Sequence, residues 1–111
     1  MVVGHPNGPS NINGLTPIFI AAQNGHVEIV KLLMTKSVNP NAPTNKGMTP
    51  IHIAASKGYI EIVKVLITST DNPLAPSNNG STPIDAARRK RHLEIVEVLK
   101  ASAKRPKINK E

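Results

Sequence analysis

The amino-acid sequence predicts an all-α solenoid of helix-turn-helix units joined by β-hairpin-like loops. The first observation is a Thr-Pro dipeptide that recurs every 33 residues, at Thr16-Pro17, Thr49-Pro50 and Thr82-Pro83. The second is the identity of residues 11–43 and 44–76 at 18 of 33 positions, with a third copy in register from Ser77 to Leu99. A repeat this short cannot bury its own apolar face, so the copies must stack on one another.

Composition limits the core and the kinds of site that this chain can build. Of its 111 residues, 39% are hydrophobic, with one Tyr, one Phe and no Trp, which predicts one domain with a thin aliphatic core. The sequence has no Cys, which excludes disulfides and thiolate metal sites. Its apolar runs are far shorter than the roughly 18 residues of a membrane span. We therefore expect an intracellular protein that is cytoplasmic, nuclear or both, with no membrane partner.

Each copy is predicted to contain two helices. Thr offers a hydroxyl N-cap, and Pro fits the first helical position, where no backbone donor is needed. A short helix with an Ala pair follows, and Gly25 and Gly58 then stand where a helix ends in the left-handed conformation. Second helices over residues 27–33, 60–66 and 93–99 have apolar residues at helical spacing. Arg91 replaces the glycine in the third copy, which predicts strain or a different turn there.

The segments between copies, residues 39–47 and 72–80, are rich in Asn, Pro and Gly and are predicted to project as hairpin-like loops. Together, the Gly-x-Thr-Pro-Ile-x-Ile-Ala-Ala stretch, the Gly-His-Val-Glu-Ile-Val-Lys-Leu-Leu helix and the Asn-Pro-Asn-Ala turn resemble the ankyrin repeat. The resemblance spans three copies, roughly residues 11–100. It implies no intrinsic catalysis, no cofactor, and protein binding on the concave side formed by hairpin tips and first helices.

The two ends of the array differ in polarity. In the third copy the Ala pair becomes Ala87-Arg88 and the second helix ends in Lys100, so this copy is predicted to be the C-terminal cap. The first copy has no such polar replacement, which predicts self-association through repeat 1 or further repeats before it; alternatively, residues 1–10 fold over this end. The predicted segments are residues 1–10 as a possible remnant of a preceding repeat, repeats at 11–43, 44–76 and 77–100, and a basic, disordered tail at 101–111.

Charge is concentrated at the C-terminal end of the chain. Residues 88–111 hold nine of the 14 Lys and Arg residues against three Glu, within a net charge of +7. The basic tail residues are Lys104, Arg105 and Lys107. Three interpretations remain open: a solvated basic cap, a nuclear import signal, or a nucleic-acid-binding end. Nucleic acid is the least favoured partner, because this end lacks the aromatic side chains on which bases stack.

The resemblance also implies which residues contact a partner. These positions are Ile12, Asn13, Leu15, Gln23 and Asn24 in repeat 1; Asn45, Lys46, Met48, Ser56 and Lys57 in repeat 2; and Asn78, Asn79, Ser81, Arg89 and Lys90 in repeat 3. The strip changes from apolar to basic along the array. It would suit a protein segment with aliphatic anchors and acidic flanks, whereas the alternative is a solvated face with the binding site elsewhere.

Other candidate chemistry is weak. The four His residues show no metal-ligand spacing, and no Ser or Cys nucleophile has a paired base in a recognisable motif. His52 is expected to be a structural hydrogen bonder, and Asp85 is expected to cap its helix together with Thr82. The sequence therefore predicts a non-enzymatic interaction module without metal or cofactor. The competing hypothesis is a basic adaptor whose C-terminal end binds nucleic acid or acts as an import signal.

Overall fold

The computed structural model describes residues 14–36, 39–69 and 72–104. Within these residues the chain forms helices and turns and no strand. The helices are α1 (Pro17–Gln23), α2 (Val27–Met34), α3 (Pro50–Lys57), α4 (Ile60–Ile67), α5 (Pro83–Arg89) and α6 (Leu93–Lys104). The predicted all-α repeat solenoid is confirmed.

The helices form two layers. The first helices of the repeats, α1, α3 and α5, stack as an inner layer, and the second helices, α2, α4 and α6, stack as an outer layer. The core lies between the layers and consists of aliphatic side chains with buried Ala pairs such as Ala54-Ala55. Small side chains at these positions allow the inner helices to approach closely, which compensates for the scarcity of aromatic residues.

The inner helices begin as the Thr-Pro motif predicts. The hydroxyl oxygens of Thr16 and Thr49 accept hydrogen bonds from the backbone amides three residues later, both at 3.2 Å, and a proline occupies the first turn each time. In the third repeat the capping is reciprocal. The Asp85 amide donates to Thr82 Oγ1 at 3.1 Å, and the Thr82 amide donates to Asp85 Oδ2 at 3.1 Å. The expected capping role of Asp85 is confirmed.

The turns between paired helices show why two repeats need glycine and the third does not. Gly25 and Gly58 have φ of 79° and 84°, and the rings of Tyr59 and His92 in the following repeats pack directly against them. A Cβ at Gly58 would lie 2.7 Å from His92 Cε1. Arg91 keeps the same left-handed turn, with φ of 66°, and its side chain is exposed. The turn is thus strained as predicted, but it does not change its form.

The last helix is longer than its sequence pattern indicates. It continues through Ala101 and Ser102 to Lys104, so the first residues of the segment predicted to be a disordered tail are helical. Apolar periodicity stops at Leu99, but alanine and lysine favour helix even where nothing packs on them. Arg105 and Lys107 lie outside the described residues.

The outer layer exposes apolar side chains at the end formed by repeat 1. Ile29 is 46% exposed, whereas the equivalent Ile62 and Ile95 are 1% and 2% exposed. Leu32, one turn further along α2, is 56% exposed. Because α4 and α6 each pack against a preceding second helix, their isoleucines are covered, while this face of α2 has no such helix among the described residues.

Candidate functional site

The loops between repeats form compact hairpins on the side of the inner helices. In hairpin 2, residues 44–48, the Thr44 amide donates to the Met48 carbonyl at 2.9 Å and the Gly47 amide donates to the Thr44 carbonyl at 2.8 Å. Hairpin 3, residues 77–81, repeats both bonds, with 2.8 Å between Ser77 and Ser81. These bonds hold the tips in fixed conformations, although they are too few to form a regular strand pair.

Neighbouring hairpins are also bonded to each other. The Asn78 amide donates to the Lys46 carbonyl at 2.8 Å, and Asn78 Nδ2 donates to the Asn45 carbonyl at 2.9 Å. The hairpin tips therefore form one continuous edge, and side chains from successive repeats are held in register along it.

Between hairpin 2 and the inner helices lies an open groove of about 400 Å³, which we call the anchor groove. Its apolar wall consists of Leu15, Phe19, Met48 and Ile53. The polar side chains around it are Gln23, Thr44, Asn45 and Lys46. An apolar concavity with few polar groups at its border is typical of a site that accepts an aliphatic side chain.

A second groove of about 330 Å³ continues the concave face between hairpins 2 and 3. It is lined by Lys46, Met48, Ser77, Asn78 and Asn79. Lys46 and Met48 line both grooves, so they form the boundary over which a bound segment would pass from one groove to the other.

The concave face changes chemistry at the third repeat. Leu15, Met48 and Ser81 occupy the same repeat position, directly after the hairpin glycine. The first two are apolar, but Ser81 Oγ accepts a hydrogen bond from Arg89 Nη2 at 3.3 Å. The guanidinium of Arg89 therefore contacts the position at which the other repeats present an aliphatic side chain.

The structure brings together part of the predicted contact strip. Leu15, Gln23, Asn45, Lys46, Met48, Asn78 and Asn79 line the two grooves, and Ser81 contacts Arg89. Ser56 and the exposed Lys57 line neither groove; Asn24 and Lys90 are exposed C-cap residues of α1 and α5. Ile12 and Asn13 lie outside the described residues.

Sequence reasoning missed three residues of the anchor groove: Phe19, Thr44 and Ile53. Phe19 and Ile53 count as core residues by burial, at 3% and 9% exposure. A signal for Phe19 existed, because Leu15, Phe19 and Gln23 are spaced four apart, which places the last two on one helix face. No feature of the sequence predicted Ile53, because its place in the buried apolar pattern of α3 does not show that it also borders a groove.

His52 is buried rather than part of the groove. It is 3% exposed, and its Nδ1 has no hydrogen-bond partner, so the expected bonding is not made through this atom. Burial lowers the pKa of His52, the positive charge of Arg89 lowers it further, and the Asp85 carboxylate has the opposite effect. A neutral imidazole is therefore favoured between the inner helices.

A metal site would need a cluster of ligating side chains, and a membrane span would need a long apolar helix. Residues 14–36, 39–69 and 72–104 hold no cluster of three His, Cys, Asp or Glu side chains that could ligate a metal ion. Over the same part of the chain, no helix has the length and hydrophobicity needed to cross a bilayer.

Comparison with known families decides what this solenoid is. A family model described as ankyrin repeats, three copies, matches residues 2–75 and 47–111. The chain belongs to the ankyrin-repeat family. Ankyrin-repeat proteins are in general protein-protein interaction modules and are typically non-enzymatic. The curated proteins include no match to this chain.

Proposed function

We propose that this ankyrin-repeat protein is a non-enzymatic module that binds a protein or peptide segment on its concave face. The observation that carries the proposal is the anchor groove, whose apolar wall is formed jointly by two repeats and one hairpin. Leu15 and Met48 are both half-buried in it, so an aliphatic side chain inserted there would remove apolar surface of both from water. Of the ten contact residues predicted for repeats 1 and 2, five line this groove: Leu15, Gln23, Asn45, Lys46 and Met48.

The test uses a charge placed in the groove. Met48→Glu should abolish capture of proteins that the unchanged chain retains from a lysate, because a carboxylate in an apolar groove opposes insertion of an aliphatic anchor. The matched control is Lys64→Glu, which changes an exposed side chain on the outer helix α4. Circular dichroism should show that both variants are folded like the unchanged chain. Retention of the same proteins by Met48→Glu would contradict the proposal.

Under the competing hypothesis of a basic adaptor, the functional site is the basic C-terminal segment. Replacing Lys104, Arg105 and Lys107 by Glu leaves capture unchanged if the concave face is the site. If the segment is instead a nucleic-acid contact or an import signal, this triple variant loses binding or nuclear accumulation, whereas Met48→Glu keeps it. Nucleic-acid binding would also weaken steeply with salt.

Self-association through repeat 1 is a second proposal, and it rests on the exposed Ile29 and Leu32 of α2. Two copies joined through this face would cover both side chains symmetrically. Repeat 3 also exposes Leu93, at 63%, but the charged Arg91 and Lys100 are exposed in the same repeat, which makes that end a poorer match. Light scattering over a range of concentrations should show a dimer that Leu32→Lys dissociates. A constant monomer mass at high concentration would overturn this proposal.

A further inference from the structure

The charges of this protein are segregated between its two helix layers. In the described residues, the inner helices, their C-caps and the hairpins carry five cations and one carboxylate: Lys46, Lys57, Arg88, Arg89 and Lys90 against Asp85. The outer helices, as far as Ser102, carry three cations and four carboxylates: Lys31, Lys64 and Lys100 against Glu28, Glu61, Glu94 and Glu97. The inner side, which includes the concave face, therefore carries a net positive charge, whereas the outer helices as far as Ser102 do not; the exposed Lys36 and Arg91 lie in turns outside both sets.

The single carboxylate of the inner layer is already engaged. Asp85 accepts the Thr82 amide at its helix start and lies 3.8 Å from Arg88 Nη1. Arg89 instead extends to hairpin 3, and its contact there is a neutral serine hydroxyl. Arg89 is thus held at hairpin 3 and takes part in neither of the described ion pairs, although its charge is near enough to Asp85 to help lower the pKa of that carboxyl.

We propose that the partner is an acidic segment bound in one register: an aliphatic residue in the anchor groove and a carboxylate at Arg89, with the chain extended between them. This inference rests on the proposed function and names the chemistry of its partner. The apolar positions Leu15 and Met48 accept the aliphatic side chain. Arg89 binds the carboxylate, since a guanidinium pairs with a carboxylate through two parallel hydrogen bonds.

The separation of the two contacts follows from the repeat geometry. The anchor groove lies between repeats 1 and 2, and Arg89 lies in repeat 3, which is a displacement of one and a half repeats. Packed helices are spaced about 8–10 Å apart, and an extended chain advances about 3.3 Å per residue. The carboxylate is therefore about four residues from the aliphatic anchor. Between them the segment passes over Lys46, which favours further acidic residues.

The experiment selects from a display library of random 12-residue peptides against the intact chain. Enriched peptides should carry Leu, Ile or Met with Asp or Glu about four residues away. A synthetic peptide of this pattern should bind Arg89→Glu at least about tenfold more weakly in fluorescence anisotropy. Lys64→Glu, a matched charge reversal on the outer layer, should change its affinity less than about twofold. Replacing the acidic residue of the peptide by Lys should restore binding to Arg89→Glu.

The outcomes separate this inference from the proposed function. If peptides are enriched that have an aliphatic anchor and lose binding to Met48→Glu but show no acidic preference, the inference is overturned and the concave site stands. The inference also fails if Arg89→Glu and the milder Arg89→Gln both bind like the unchanged chain. If no peptide is enriched, or if the enriched peptides bind Met48→Glu equally well, both proposals are contradicted.

Discussion

At the scale of single residues, His52 is a titratable side chain that is buried where its charged form is disfavoured. Its imidazole is enclosed between inner helices, with Nδ1 unbonded. A pKa lowered from 6.5 by burial means that the unfolded chain takes up a proton at higher pH than the folded chain does. The stability that this neutral histidine supports is fully present above pH 6.5 and is lost as the pH falls toward the folded pKa.

We predict that His52→Phe reduces the loss of unfolding free energy between pH 7.5 and pH 5.5, because no proton can then bind at this position. Phe is a suitable replacement, since Phe19 fills the equivalent position of repeat 1 at 3% exposure. Urea unfolding at both pH values measures the effect, and His26→Gln, which removes an exposed histidine, is the control. An unchanged pH dependence in His52→Phe would contradict the assignment.

A second residue-scale prediction concerns the glycine turns. Gly58→Ala and Gly80→Ala both force a side chain into the left-handed region, at φ of 84° and 86°, which costs about 1 kcal/mol. Only at Gly58 would the new methyl group overlap the His92 ring, while nothing lies within 4 Å at Gly80. Gly58→Ala should therefore lower the unfolding free energy, measured by chemical denaturation, by at least about 1 kcal/mol more than Gly80→Ala does.

The His92→Ala background shows whether the ring is the cause. In that background, the extra cost of Gly58→Ala should largely disappear, because the overlapping atoms are gone. Equal costs at Gly58 and Gly80 in the unchanged chain would show that the ring moves aside freely and that only backbone strain matters.

At the scale of elements, the start of α5 is stabilised by more capping hydrogen bonds than the starts of α1 and α3 are. Thr82 and Asp85 form a reciprocal capping box, whereas Phe19 and His52 stand at the equivalent third positions of α1 and α3. The hydrogen bond from the Thr82 amide is the main cause that lowers the pKa of Asp85, with further contributions from Arg88 and Arg89. The ionised carboxylate thus stabilises α5 above the ordinary pKa of 3.8.

We predict that Asp85→Ala lowers the unfolding free energy by about 1 kcal/mol at pH 7. The difference from the unchanged protein should vanish as the pH falls through the lowered pKa of the folded state, where the carboxylate is protonated. Thermal melts between pH 5 and pH 2.5 follow this loss. Glu94→Ala in the first turn of α6 is the control, and a similar effect there would indicate helix-dipole interaction rather than capping.

At the scale of the whole molecule, position in the stack decides what identical residues contribute. Ile29 and Ile62 share a repeat position, but Ile29 is 46% exposed and Ile62 is 1% exposed. We predict that Ile62→Ala lowers the unfolding free energy by about 2–4 kcal/mol and that Ile29→Ala lowers it by less than about 1 kcal/mol. Denaturant unfolding at low protein concentration measures both values.

Because a small repeat protein has little stability to lose, Ile62→Val and Ile29→Val serve as milder versions of the same pair. We expect Ile62→Val to lower the unfolding free energy by about 1 kcal/mol and Ile29→Val to leave it nearly unchanged. Equal costs for the two sites would mean that Ile29 is covered in solution. If that cost appears only at high concentration, the cover is a second copy, as proposed for the face formed by Ile29 and Leu32.

The sequence by itself determined the repeat period, the helix starts, the capping role of Asp85, the left-handed turns and the family. These follow from signals within a few residues of one another, such as Thr-Pro at a helix start, and from their recurrence every 33 residues. The resemblance to the ankyrin repeat also predicted Leu15, Lys46 and Met48 as contact residues, and these three line the anchor groove.

Only the tertiary structure decided how neighbouring repeats use these residues. It showed that Ile53 and Phe19 border the anchor groove, that Arg89 reaches Ser81, and that His52 Nδ1 is enclosed without a partner. It also showed that Arg91 retains the turn that Gly25 and Gly58 form. The physical reason is that burial and side-chain partners depend on the surface that an adjacent repeat presents, and a local pattern does not contain that surface.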